Sequence, residues 1–208
     1  MKKIFILIII IVTAIKSYSQ VEVAVEEQFI HDEENPYLKD LNGVMDKFEG
    51  EWLFTDPTHY LKIKFYKIEY VDQIILQKHE IYDELRSFIL YKELQLGIWV
   101  TIYNTFPATF TQTDLDNQNF NAKCIHGNLV SNSNNNEVNL FYFEPLPVCS
   151  IKENGNLKLT YTNNSGIEQL QWDYGIIHGR SVVELCSNNN NNIFIPYKIP
   201  IQITLNKI

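Results

Sequence analysis

The sequence predicts an all-β, mainly antiparallel fold: a barrel or flattened barrel preceded by one short N-terminal helix. Three observations predict it. Beyond Gly50, apolar residues recur at every second position in run after run, the runs are separated by clusters of Asn, Gly, Asp and Pro, and no clear helical periodicity intervenes. A meander of roughly eight to ten strands must hide its edges, and closure into a barrel hides them completely.

The elements follow in chain order. Lys2 and Lys3 precede an apolar stretch from Ile4 to Ile15 broken by Thr13, and a polar run ends in Ser17-Tyr18-Ser19-Gln20. A basic start and an apolar core of about a dozen residues fit a secretory signal peptide over residues 1–19. A membrane span needs about 20 apolar residues. The expected mature chain therefore starts at Gln20, carries no membrane span, and is secreted or periplasmic. Residues 20–36 are rich in acids, with Glu26, Glu27, Asp32, Glu33 and Glu34, and suggest a flexible lead-in to a single domain over 37–208. After Asn35-Pro36, Leu38, Leu41, Met45 and Phe48 recur at three and four residues, which places them on one face of a short helix ending near Gly50.

The strands then follow. Leu61, Ile63 and Phe65 alternate with Lys62, Lys64 and Tyr66. The same period returns in Val138-Leu140-Tyr142, Leu157-Leu159-Tyr161, Leu170-Trp172-Tyr174 and Ile201-Ile203-Leu205, so one face of each run points inward. Turns are expected at Asp56-Pro57, Ser131–Asn136, Asn154-Gly155, Asn163–Gly166 and Ser187–Asn192, because Asn and Gly tolerate positive φ.

Composition excludes several function classes. Loss of Lys2, Lys3 and Lys16 with the signal would leave 14 basic against 25 acidic residues and take the net charge from -8 to -11. That balance argues against a nucleic-acid partner, since such binding depends on clustered Lys and Arg. Cys124, Cys149 and Cys186 all fall in the exported part, where thiols oxidise. One pair with one leftover thiol is the simplest arithmetic, with Cys149–Cys186 preferred for their place beside loops; three reduced thiols are the alternative. No two cysteines have zinc-site spacing, and no metal or other cofactor is expected.

The segment Phe48-Glu49-Gly50-Glu51-Trp52 at the entry to the first strand resembles the Gly-x-Trp opening of lipocalins and other calycins, which are up-and-down barrels holding small apolar ligands. The resemblance implies structural roles for Gly50 and Trp52, with Trp52 packed across the closed end and a basic residue from the last strand, Lys207, stacked on it. The second lipocalin motif, a Thr-Asp-Tyr type loop, is not present. The mature chain as a whole also resembles an uncharacterised family of exported bacterial proteins, through Tyr37–Asn42, Phe141–Pro145, Gly179-Arg180 before Cys186, and the Pro200–Lys207 strand. That resemblance implies an exported barrel and brings no activity.

No catalytic motif in the sequence is specific. Asn164-Ser165-Gly166 sits in a hairpin without a base, His79-Glu80 has no second histidine one helical turn on, and Glu144 ends an aromatic strand as a lone acid. The positive signal is aromatic content: 12 Phe, 12 Tyr and 3 Trp. Alternation offers Phe65, Trp99, Tyr103, Tyr142, Tyr161 and Trp172 as inward residues that fill the lumen or line a pocket for a small apolar or amphipathic ligand. The sequence thus favours a non-catalytic ligand-binding module. The alternative is a filled barrel that acts through its surface in the envelope or outside the cell.

Overall fold

The computed structural model describes residues 21–27, 36–75, 78–107, 125–130, 134–143, 154–175, 199 and 202–208. The signal segment, Cys124, Cys149, Cys186 and Glu144 lie outside the described residues. Among those residues, eleven strands form one sheet: β1 (Glu22–Ala24), β2 (Tyr37–Lys39), β3 (Gly50–Thr55), β4 (His59–Ile75), β5 (Lys78–Gln95), β6 (Ile98–Asn104), β7 (Ile125–Val130), β8 (Glu137–Phe143), β9 (Asn154–Asn164), β10 (Ile167–Gly175) and β11 (Gln202–Lys207). Eight of them close a barrel in the order β5-β4-β3-β11-β10-β9-β8-β7, with β7 returning to β5 through Leu85↔Gly127 and Arg86↔His126. Every pairing around this ring is antiparallel.

The two-residue period decides what is inside. Leu61, Ile63 and Phe65 of β4, Val138, Leu140 and Tyr142 of β8, Leu157 and Leu159 of β9, and Leu170, Trp172 and Tyr174 of β10 are all buried in one core cluster. The turns obey local chemistry. Ser165 and Gly166 adopt φ 55° and 90° between β9 and β10, the positive pair a two-residue hairpin demands, and the Asn163 side chain accepts from Gly166 N at 3.0 Å. Asp56 Oδ1 accepts from Thr58 N and His59 N at 2.7 and 2.6 Å, which fixes the turn between β3 and β4. Asn154-Gly155, expected as a turn, instead begins β9.

β5 organises the wall. β4 covers one of its edges along nearly its whole length, and the other edge takes β2 at Ile81-Tyr82, β7 at Leu85-Arg86 and β6 at Leu90–Gln95 in succession. Its outward face is also covered: Ile68, Val71, Tyr82 and Phe88 form a second cluster, against which Tyr66, Phe106 and Leu38 pack. Nine consecutive residues, Ile81 to Ile89, are therefore buried, four of them polar or charged: Asp83, Glu84, Arg86 and Ser87.

The expected N-terminal helix is corrected. Tyr37–Lys39 is a strand, Met45–Lys47 a single 3-10 turn, and Leu41, placed on the buried helical face by its spacing, is 51% exposed. The reason lies in Asp40 and Gly43. Asp40 Oδ1 and Oδ2 accept from Val44 N and Met45 N at 2.7 and 3.0 Å, so its side chain satisfies donors that a helix would direct to its own carbonyls. Gly43, at φ 61°, turns the chain between them. Part of the expected flexible lead-in also joins the sheet: β1 pairs in parallel with β2, and Val23 and Val25 are buried.

Candidate ligand site

The two ends of the barrel differ, and the residues at each end explain how. At one end Trp52, fully buried on β3, donates Nε1 to Phe48 O at 2.8 Å, a bond available because the 3-10 turn brings Phe48 back beneath it. Tyr161 sets its ring edge-on to both Trp52 (6.4 Å) and Phe48 (6.3 Å). Lys207, the register partner of Trp52 on β11, holds its ammonium 5.3 Å from the indole centroid and 2.5 Å from Glu168 Oε2. Gly50 sits at φ 108°, and a Cβ there would meet Lys207 Cε at 3.3 Å, so glycine admits the lysine stem. Val44 and Met45 are buried in the same core.

The chain that crosses this end is anchored by polar contacts. Asp83, 2% exposed, accepts from Tyr37 Oη at 2.5 Å, Asp40 N at 2.9 Å and Tyr70 N at 3.2 Å. Tyr70 adopts φ 57° at the irregularity in β4 between Ile68 and Val71, which delivers its N–H to the carboxylate. Burial, then the bond to Asp83, pushes the Tyr37 hydroxyl well above the ordinary phenol range. Burial likewise raises Asp40, against the opposing pull of its two backbone donors and of Lys67. On the outer face of β5, Glu84 accepts from Arg86 Nε at 2.8 Å and contacts His126 Nδ1 at 2.7 Å. Burial is the largest single influence on Glu84 and opposes its charge, yet His126 and Arg86 together outweigh it and hold the carboxyl below its usual range.

Along β11, Trp172 pairs with Ile203, four residues before the Lys207 that pairs with Trp52, so it stands about 13 Å away along the strand. There the interior turns aromatic and hydroxyl-bearing. Tyr142 meets Trp172 edge-on at 5.9 Å and Tyr174 at 5.4 Å, while Tyr91 packs on Tyr103 at 5.9 Å and beside His59 at 6.3 Å. Trp172 is 2% exposed and its Nε1 has no hydrogen-bond partner among the described residues, a condition that costs a folded protein about 1–3 kcal/mol. Of the buried charged residues among those described, Asp40 and Asp83 anchor the crossing segment, while Glu84 and Arg86 pair on the outer face of β5, where Arg86 is the register partner of His126.

Of the six aromatic residues singled out from sequence, Tyr142 and Trp172 come into direct ring contact in this half, and Tyr103 is buried against Tyr91. Phe65, the register partner of Gly50, and Tyr161 belong to the sealed end. Trp99 is 46% exposed on β6, outside the barrel ring. Tyr91 and Tyr174 join Tyr103, Tyr142 and Trp172 in the core; Tyr174 continues the inward Leu170-Trp172 alternation, while Tyr91 carries no such signal beside the buried acids of β5. Among the described residues no group of three or more His, Cys, Asp or Glu side chains converges, and no helix is long and apolar enough to cross a membrane. His79, which the sequence leaves without a second histidine, pairs with Asp72 at 2.7 Å on the β4–β5 ribbon.

The model of a family of unknown function (DUF6705) matches residues 1–207 of the chain. No curated protein and no solved structure matches it.

Proposed function

Because the chain belongs to that family of unknown function, we propose from its own geometry that it is an exported, non-catalytic, lipocalin-like barrel that holds a small apolar or amphipathic ligand. The observation that supports this reading is the asymmetry of the interior: Trp52, Phe48, Tyr161 and Lys207 seal one end, and the other half is lined by Tyr91, Tyr103, Tyr142, Trp172 and Tyr174. Aromatic walls with a few polar tips suit a ligand that is mostly hydrocarbon. The export address rests on residues 1–19.

The test is a comparison of native and denatured masses of the protein recovered from the exported fraction of an expressing bacterium. A non-covalent adduct that disappears on denaturation supports the reading and identifies the cargo. A bare native mass favours a filled barrel that works through its surface. That second reading has its own observation: Leu96, Ile98, Trp99 and Val100 at the β5–β6 hairpin are all exposed, Leu96 completely.

A further inference from the structure

The lumen half occupied by Trp172 carries chemical information about what enters it. The indole N–H is a donor with no acceptor function, so the group that satisfies it must offer a lone pair. Trp172 is held by β10 between β9 and β11, its ring against Tyr142, and its Nε1 is buried without a hydrogen-bond partner among the described residues. A water here would need two to four polar partners and would have to take the others from tyrosine hydroxyls such as Tyr174 Oη, whereas an oxygen carried on an apolar molecule needs none. The buried cation among the described residues, Arg86, is engaged by Glu84 on the outer face of β5, so an anion inside would lose its hydration without a free counter-charge.

We infer that the ligand is an uncharged, mostly apolar molecule bearing one accepting oxygen, such as a ketone, ester or alcohol, and that this oxygen accepts from Trp172 Nε1. The inference rests on the ligand-holding reading above and specifies its cargo.

Three probes of nearly one shape test it on the full chain in solution, labelled with nitrogen-15 at the tryptophan indoles: acetophenone with an accepting carbonyl, ethylbenzene without one, and benzoate with a charge. The expected result is that acetophenone binds about tenfold more tightly than ethylbenzene, moves the Trp172 indole proton downfield, and is not displaced by benzoate. W172F should abolish the preference while leaving ethylbenzene binding in place. If that variant does not fold, the Trp172 resonance is assigned in the unsubstituted protein by its proximity to the Tyr142 ring, and its shift decides the matter. Equal binding of acetophenone and ethylbenzene with an unmoved indole proton overturns the donor assignment but leaves a ligand-holding lumen. Tightest binding by benzoate overturns the uncharged class. Failure of all three to bind at millimolar concentration overturns the ligand-holding reading itself.

Discussion

Lys207 and Trp52 face one another as a register pair across the β11–β3 seam, the lysine ammonium 5.3 Å from the indole centroid. The contact joins the last strand of the chain to the first strand of the ring, and it sits over the sealed end. An ammonium at this distance from an indole contributes about 0.5–2 kcal/mol. Lys207→Met keeps most of the apolar stem and removes the charge, so the expected outcome is a loss of about 1 kcal/mol, read as a lower urea midpoint with an unchanged slope. An unchanged midpoint would show that the charge contributes nothing.

Gly50→Ala should cost more than its single methyl group suggests. Its φ of 108° lies where side chains are strained, and the added Cβ would press on the Lys207 stem at 3.3 Å. A loss of about 1–3 kcal/mol is expected in equilibrium unfolding. Adding Lys207→Ala should recover the part due to the contact and none of the part due to the backbone.

Asp40→Ala removes the acceptor for Val44 N and Met45 N and one partner of Lys67. The expected cost is about 2 kcal/mol, with faster amide exchange at Val44 and Met45 and unchanged protection in β9 and β10. Exchange that accelerates equally throughout would show that the crossing segment and barrel open together.

Glu84 gives a pH dependence of definite sign. Its folded pKa is lowered, so its ionised form stabilises the protein above the unfolded carboxyl value of about 4.3, and that stability is lost as pH falls through the lower folded value. Glu84→Gln removes the carboxylate charge that Arg86 Nε and His126 Nδ1 contact and should cost about 3 kcal/mol at pH 7. The gap between wild type and variant should narrow from about pH 5 downward, whereas a constant gap would contradict the pairing. Asp40, raised by burial, acts in the opposite direction and is removed by the subtraction.

The regular strands were legible because only one of their faces is wet. Leu61-Ile63-Phe65 and Leu170-Trp172-Tyr174 announce their inward face by alternation, and Asn163–Gly166 announces its hairpin by composition. β5 was not legible, since Asp83, Glu84 and Arg86 suggest a solvated segment until Tyr37, Asp40 and His126 from distant parts of the chain are brought against them. The helical expectation fails because spacing at three and four residues also suits a segment that folds across the end of a barrel, burying Met45 and Phe48 while Leu41 faces water. Trp99 was placed inward by its spacing from Tyr103, but an irregularity between Tyr91 and Lys92 shifts the register of β6. Sequence alternation located Trp172, while its lack of a hydrogen-bond partner emerges only in three dimensions.

The seam of Trp52 with Lys207 and Leu53 with Asn206 also sets when the protein can finish folding. The two strands that close the ring there are separated by most of the domain, so a nascent chain that has not yet delivered residues 202–207 is an open sheet with β3 and β10 as bare edges. Closure at this seam must await synthesis of residues 202–207, which supply the partner strand of β3. Until then β3 and β10 keep unpaired edges, which are templates for pairing with other chains.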